Sequence, residues 1–284
     1  MTAAPTPRPN PAPGTDAGSG SEPGMTSYPG LMLETRGHTA VVTLTNPPAN
    51  TWTEASLTGL TRLVHDLAAD REVYALVITG AGERFFSAGA DLNVFANADK
   101  GVAATTARRF GEAFEALAAF PGVSIAAING YAMGGGLECA LACDLRVAEE
   151  HAVMGLPEAS VGLLPCGGGT QWLAWTVGES WAKRMILLGE RADAQTAEWI
   201  GLVDVVVPRG EGLARALAMA ESVAKQSPSA VRACKRLIDG ARTGNPAQTL
   251  TAEREAFVEL FDTEDQREGV AAFLGKRAPQ WRNR

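Results

Sequence analysis

Apolar and polar positions along the chain follow alternating strand and helix periods from residue 31 onward. The β-rich runs LMLETR and TAVVTLTN, separated by Gly-His, predict a hairpin. TEASLTGLTRLVHDLAAD follows with apolar residues at helical spacing and Thr53 as its N-cap, and VYALVITG is a short apolar strand. A helical stretch at 101–120, the strand VSIAAING, a helix ending at Cys143 and the strand LRVAEE continue the alternation. Strands separated by helices predict a largely parallel, buried sheet.

The pattern changes after about residue 211, where only helical periods remain. Ser-Pro, Gly-Asn-Pro and Asp-Thr divide this region into four predicted helices: EGLARALAMAESVAKQS, PSAVRACKRLIDGAR, AQTLTAEREAFVELF and TEDQREGVAAFLGKR. We therefore predict an α/β fold with a core over residues 30–210 and a helical C-terminal region over 211–284.

The first 29 residues are rich in Pro, Gly, Ser and Thr and nearly free of large apolar residues. Such a segment cannot bury enough surface to order itself, so we expect a disordered N-terminal extension over 1–29. It has neither the apolar core of a signal peptide nor the arginines of a transit peptide, which favours the cytoplasm. Met25 precedes the folded pattern, and we hypothesise that translation begins there.

Composition narrows the function classes. The chain has 284 residues, of which 46% are hydrophobic and 20% charged, enough for one large core. A net charge of −7 without a Lys/Arg cluster argues against a nucleic-acid partner, and no run is apolar enough to span a membrane. No two cysteines form a CxxC pair, and no histidine lies near a cysteine at ligand spacing, so we expect no metal site. We expect buried, reduced thiols at Cys139, Cys143, Cys166 and Cys234.

Three consecutive glycines stand where a helix should begin, in NGYAMGGGLECALACD. Ligands of α/β sheets bind beyond the carboxyl ends of strands, where the first N–H groups of the next helix have no partner. Gly134 to Gly136 would leave those N–H groups accessible to a negatively charged atom. Glu138 lies three positions after Gly135, on the same helix face, so an amide donor and a carboxylate face one volume.

Two further segments complete a candidate site. GERFFSAGADL has small residues from Ser87 to Ala90 after a strand, and it could supply the second amide of an oxyanion hole. In MGLPEASVGLLPCGGGTQ, Glu158 lies among apolar residues, as a proton-transfer group does. The alternatives are a solvated first-turn acid for Glu138 and a buried salt bridge for Glu158, for example with Arg146. An ordinary turn is the alternative for the small-residue loop.

Residues 31 to 281 resemble the crotonase superfamily, the enoyl-CoA hydratases and isomerases. FFSAGADL and NGYAMGGGLECALACDLRVA are similar to its two oxyanion-hole loops. GLPEASVGLLPCGGGTQ is similar to the segment with the second acid, and ADAQTAEWIGLVDVVVP and EGVAAFLGKRAPQW match later segments in the expected order. The resemblance implies a crotonase-like ββα spiral core over 30–210 and an oligomerisation role for 211–284.

The resemblance also implies the site and its reaction. The oxyanion-hole N–H groups belong to Ala90 and Gly135, and Glu138 and Glu158 hold water for syn addition to a trans-2-enoyl-CoA, with Glu158 supplying the α-proton. Coenzyme A is part of the substrate, no other cofactor or metal is required, and the pathway is fatty-acid β-oxidation. The resemblance implies a homotrimer or homohexamer, in which Phe273 and Lys276 bind CoA across a subunit boundary. The full set of implied CoA-binding residues is Ser87, Ala88, Asp91, Leu92, Gly134, Phe273 and Lys276.

The sequence departs from the common pattern of this superfamily at three places. Asn93 stands where a basic residue often contacts CoA phosphates, and Cys166 stands where glycine is usual. Trp172 and Trp175 stand where an arginine is common. Core or trimer packing is the preferred interpretation, and an acyl pocket or subunit contact reshaped for a particular substrate is the alternative. Two other functions stay open: another crotonase-type reaction, such as isomerisation, hydrolysis or carbon–carbon cleavage, and an idle acyl-CoA-binding homologue.

Overall fold

The computed structural model describes residues 25–97 and 99–284. Its strands are β1 Met25–Tyr28, β2 Leu31–Arg36, β3 Thr39–Leu44, β4 Ala75–Gly80, β5 Phe85–Ser87, β6 Val123–Ile128, β7 Tyr131–Met133, β8 Leu145–Glu149, β9 Val153–Gly155, β10 Ala192–Asp193 and β11 Val205–Val207. Its helices are α1 Glu54–Ala69, α2 Lys100–Ala118, α3 Gly135–Ala142, α4 Gly169–Leu187, α5 Ala194–Trp199, α6 Gly212–Ala224, α7 Pro228–Gly240, α8 Pro246–Glu259 and α9 Glu264–Leu274. Short 3-10 helices span Leu92–Phe95, Glu158–Val161 and Leu260–Asp262.

The main sheet has seven strands in the order β1-β2-β3-β4-β6-β8-β11. The predicted hairpin is confirmed as the antiparallel pair β2 and β3, and the strands from β3 to β11 pair in parallel. All six residues of β4 are buried, as expected for a parallel strand covered on both faces. The predicted parallel α/β core is therefore confirmed.

Helices cover both faces of this sheet. On one face α1, α2 and α3 contribute to the larger apolar cluster, and on the other face α6 packs over β3, β4, β6 and β8. Thr53 is confirmed as the N-cap of α1, where its hydroxyl accepts the N–H of Ser56 and the Ser56 hydroxyl accepts the N–H of Thr53. The four predicted C-terminal helices are confirmed as α6 to α9.

A second, smaller sheet has the strand order β10-β9-β7-β5, and the sequence pattern does not predict it as a sheet. Its strands have only two or three residues each, which is too short for a period of two to be visible. β5, β7 and β9 pair in parallel, and each is followed by one segment of the predicted site. This sheet therefore brings the three segments side by side.

The N-terminal boundary differs from the prediction. Met25–Tyr28, inside the stretch expected to be disordered, forms β1 and pairs with Leu31–Glu34 of β2. The prediction of disorder relied on the scarcity of large apolar side chains, but backbone hydrogen bonds to the edge of a hairpin order these residues without them. The rest of the predicted extension, residues 1–24, lies outside the described residues. In the described part of the chain, no helix is long and apolar enough to cross a membrane.

Candidate active site

The glycines before α3 allow a backbone path that other residues would block. Gly134 has φ 53° and ψ −127°, a conformation that favours glycine. A Cβ on Gly136 would lie 2.2 Å from the carbonyl oxygen of Ser87, so the start of α3 touches the loop after β5. The run of poor helix formers is thus required by close contact between two loops.

Hydrogen bonds hold the loop after β5 in place opposite α3. The N–H of Trp52 donates to the carbonyl of Gly89 at 2.8 Å, and the N–H of Ala88 donates to Ala49 at 2.9 Å. A Cβ on Gly89 would come within 3.1 Å of the backbone nitrogen of Gly135. The backbones of Ala90 and Gly135 are therefore neighbours on one wall.

Glu138 is buried in the first turn of α3, with 2% of its surface exposed. Its Oε1 accepts the N–H of Gly167 at 2.7 Å and the N–H of Gly169 at 2.9 Å. Burial raises the pKa of this carboxyl, the two N–H donors lower it and the Glu158 carboxylate adds to the rise, and together they bring the pKa to about 7. The alternative of a solvated first-turn acid is wrong, since the side chain is enclosed.

Glu158 begins the 3-10 helix that follows β9 and is partly buried. Burial raises its pKa, and its Oε2 is enclosed with no hydrogen-bond partner among the residues the structure describes. The alternative salt bridge with Arg146 does not form, because that guanidinium binds the carbonyls of Cys143 and Leu202. Glu158 thus keeps an oxygen available for a substrate or water.

One cleft of about 670 Å³ joins these elements. Its wall includes all four predicted catalytic residues and three of the predicted CoA-binding residues: Ala90, Gly135, Glu138, Glu158, Ala88, Leu92 and Gly134. Most of the remaining wall is apolar, and Arg191 is the one basic residue on it. A pocket with two carboxylates of raised pKa beside the backbone of Ala90 and Gly135 suits proton transfer at carbon next to a carbonyl.

Four predicted CoA-binding residues do not line this cleft. Ser87 is fully buried, and its hydroxyl accepts the N–H of Gly89 at 3.2 Å, so it supports the loop from behind. Asp91 caps the 3-10 helix Leu92–Phe95 through the N–H of Asn93. Phe273 and Lys276 lie at the exposed end of α9, and their assignment stays a prediction.

Other predictions have mixed outcomes. Trp172 packs against the core as preferred, whereas Trp175 is half exposed beside the guanidinium of Arg242. The expectation of buried thiols is wrong for Cys166 and Cys234, which are exposed. Although Cys166 is exposed at the surface, its thiol lies on the cleft wall, where partial loss of solvent and the charges of Glu138 and Glu158 raise its pKa to about 11.

Sequence reasoning missed the amides of Gly167 and Gly169 as partners of Glu138. The signal was present, because CGGGTQ repeats at the start of α4 the glycine pattern at the start of α3. A Cβ on Gly169 would lie 2.9 Å from Oε1 of Glu138, so this close contact also requires glycine. Arg191, which precedes β10, was also missed.

A mixed α/β core with two facing amide loops and two carboxylates in one cleft defines a crotonase-fold protein. A family model for enoyl-CoA hydratase/isomerase matches residues 34–284. The chain belongs to this family and to the crotonase superfamily, as the sequence resemblance implied.

Relatives and solved structures agree with this assignment. The 2,3-dehydroadipyl-CoA hydratase of Escherichia coli is 41% identical over 255 residues, which covers 89% of this chain and 99% of that protein. The solved structure of Pseudomonas aeruginosa DspI is 60% identical, with a TM-score of 0.87 and coverage of 94% of this chain and 100% of that one. An enoyl-CoA hydratase from Bacillus anthracis has a TM-score of 0.87 at 33% identity, covering 90% of this chain and 100% of that one.

Proposed function

We propose that the chain is an enoyl-CoA hydratase, which adds water reversibly and with syn geometry to trans-2-enoyl-CoA thioesters. The observation that supports this most is that Glu138 and Glu158 lie on the wall of the same cleft as Ala90 and Gly135. Crotonase reactions other than hydration often lack one of the two acids. The Escherichia coli relative is named as a CoA-thioester hydratase, which agrees with the proposal.

The two amides bind the oxygen that becomes negatively charged. When water adds at the β-carbon, the thioester carbonyl becomes an enolate, and the N–H groups of Ala90 and Gly135 stabilise its oxygen. The N–H of Gly135 is in the first turn of α3, where it has no partner within the helix. One such donor contributes roughly 3 to 4 kcal/mol to the stability of the transition state.

The two acids take opposite roles in the proton transfers. Burial raises the pKa of both acids, to about 7 in Glu138, where the two N–H bonds to Oε1 lower it in part. Glu138 can therefore take up a proton near neutral pH, and we assign to it the proton of the attacking water. Glu158, whose enclosed Oε2 has no hydrogen-bond partner among the described residues, gives its proton to the α-carbon. The oxygen of the water bonds to the β-carbon, the water gives one proton to Glu138, and Glu158 gives its proton to the α-carbon, so that Glu138 ends protonated and Glu158 ionised. Transfer of a proton from Glu138 to Glu158 restores the starting state.

The remaining parts of the proposal concern partners and setting. Coenzyme A is part of the substrate, and proton transfer among two carboxyls, a water and the α-carbon needs no metal or other cofactor. Phe273 exposes 83% of its surface at the end of α9, which supports burial of this helix end against another subunit of a homotrimer or homohexamer. There Phe273 and Lys276 would contact the CoA of the neighbouring subunit. The proposed setting is fatty-acid β-oxidation in the cytoplasm.

The test is the loss of enoyl-thioester ultraviolet absorbance when the purified chain meets crotonyl-CoA, measured beside Glu138→Ala and Glu158→Ala. Fast loss by the wild type that falls by orders of magnitude in both variants supports the hydratase. Unchanged absorbance with retained binding of CoA esters would favour another crotonase reaction or an idle binding protein. Loss that survives in one variant would show that its acid is wrongly assigned.

A further inference from the structure

Four arginines surround a second cavity, of about 330 Å³, that shares no residue with the catalytic cleft. They come from three segments of the chain and are Arg71, Arg232, Arg236 and Arg284. Ser229, Thr263 and Asn283 add polar groups to the wall, and Glu259 is its one acid. This basic cavity is unexpected in a protein with a net charge of −7.

The cavity lies near the amino ends of the parallel strands of the main sheet, whereas the catalytic cleft lies beyond their carboxyl ends. The catalytic loops follow the carboxyl ends of β4, β6 and β8, whereas Arg71 precedes the amino end of β4. Lys235 of α7 donates to the carbonyls of Phe120 and Gly122 and to Asp144, which precede β6 and β8. The sixteen residues of α1 separate Arg71 from the neighbourhood of Ala90 by about 24 Å. The cavity is therefore a separate location, not an extension of the cleft.

Buried polar groups fix the C-terminal tail against this cavity. Asp265 is fully buried and accepts the N–H groups of Arg282 and Asn283 at 2.7 and 3.1 Å and the Ser229 hydroxyl at 2.9 Å. Asn283 is buried with φ 54°, and its amide donates to the carbonyl of Arg71 at 2.6 Å. A non-glycine residue is held in this left-handed conformation only where its surroundings require it. The tail is thus held in one position, which sets Arg284 on the cavity wall.

The charges of two arginines have no nearby compensation. Arg236 lies 3.7 Å from Glu259 and Arg284 lies 3.2 Å from Glu264. Across residues 25–97 and 99–284, no carboxylate lies within 4.0 Å of Arg71 or Arg232, and Arg232 contacts only the neutral amide oxygen of Asn283, at 3.3 Å. Arg232 and Arg236 are also four residues apart on α7, a like-charge pair that destabilises a helix.

We propose that this cavity binds the diphosphate group of a small molecule. Guanidinium groups match phosphate oxygens in bidentate geometry, and converging arginines need a ligand with more than one negative charge. A single carboxylate would neutralise only one of the two uncompensated arginines. The volume is at the lower end for ligand pockets, which fits a diphosphate with a small attached group. Inorganic pyrophosphate and a nucleoside diphosphate share this chemistry.

The test is calorimetric titration of the full chain with inorganic pyrophosphate, ADP and adenosine at low salt. The variant is Arg71→Gln/Arg232→Gln, and the control is Arg62→Gln/Arg108→Gln, which removes the same charge from exposed sites on α1 and α2. We expect pyrophosphate to bind the wild type and the control alike and the variant at least about tenfold more weakly, since each guanidinium–phosphate bond lost weakens binding about that much. Tighter binding of ADP than of pyrophosphate that is weakened in the variant but not in the control, without binding of adenosine, would identify a nucleotide as the source of the diphosphate.

Several results would overturn the proposal. These are no binding of pyrophosphate or ADP to the wild type, equal binding to the variant and the wild type, and equal weakening in the control. A change in sedimenting mass in the variant with unchanged pyrophosphate binding would instead make the arginines a contact between subunits, and it too would overturn the proposal. Because crotonyl-CoA turnover is measured separately, failure of this site leaves the proposed hydratase function unaffected.

Discussion

Glu138→Gln should abolish most activity and at the same time stabilise the fold at alkaline pH. The glutamine has the same shape, and its Oε1 can still accept the N–H groups of Gly167 and Gly169. Only the ionisable group is lost. General acid–base catalysis by one side chain contributes about 10²- to 10⁴-fold, so turnover of crotonyl-CoA should fall by that factor.

The stability effect follows from the raised pKa of Glu138. Burial raises it from 4.5 to about 7, so the folded chain binds this proton more tightly than the unfolded chain. The resulting stability is fully present below pH 4.5 and is lost as the pH rises from 4.5 to 7. Above pH 7 the wild type bears a cost of about 3 kcal/mol that glutamine removes. At pH 5 less than about 1 kcal/mol of this cost remains.

Urea unfolding of wild type and variant at pH 8 and pH 5 measures this difference, with Glu150→Gln as an exposed control. We expect the free energy of unfolding of Glu138→Gln to exceed that of the wild type at pH 8, with the gain largely gone at pH 5. Protein concentration is held constant because subunit association adds to the apparent stability. A loss of stability at pH 8, an equal gain at both pH values, or wild-type turnover would refute the reasoning.

Three further changes test other parts of the structure. Glu158→Gln should lower turnover of crotonyl-CoA by about 10²-fold or more while leaving the circular dichroism spectrum unchanged; near wild-type turnover would remove Glu158 from the mechanism. Gly136→Ala should lower both thermal stability and turnover, because its Cβ would lie 2.2 Å from the Ser87 oxygen, and equal values for both would show that the loops can separate freely. Thr53→Ala should cost about 1 kcal/mol of unfolding free energy by loss of the α1 N-cap, with turnover per folded molecule unchanged. A stability within error of the wild type would contradict the capping role of Thr53.

The sequence predicted the helices and strands that are long enough for the periodic spacing of their apolar residues to be recognised. α1, α2 and the four C-terminal helices have apolar stripes over 11 to 19 residues, and β3, β4 and β6 are apolar runs of six. The small sheet could not be predicted in this way, because strands of two or three residues are defined by their partners. β1 escaped for the same reason, since pairing with β2 orders it.

Within the candidate site, the sequence predicted which residues line the cleft better than it predicted how far each of them is buried. The pattern around Gly135 indicated that Glu138 and an amide share one volume, and both line the cleft. It could not predict that Ser87 would be enclosed, because burial of a small loop residue depends on how closely α3 approaches. For Phe273 and Lys276 it is the structure of a single chain that does not test the prediction, because both residues lie at an exposed helix end there.

At the glycine-rich starts of α3 and α4, backbone N–H groups are available to bind a negative charge, but the charge differs between the two helices. At α3 Gly135 lines the cleft, and in the proposed mechanism its N–H binds a charge that develops on the substrate oxygen only during the reaction. At α4 the N–H groups of Gly167 and Gly169 bind a carboxylate that belongs to the protein. These two bonds lower the pKa of Glu138, yet burial outweighs them, and the pKa settles at about 7. That balance keeps the carboxyl able to take up and release a proton near neutral pH, where complete burial without the α4 amides would hold it protonated.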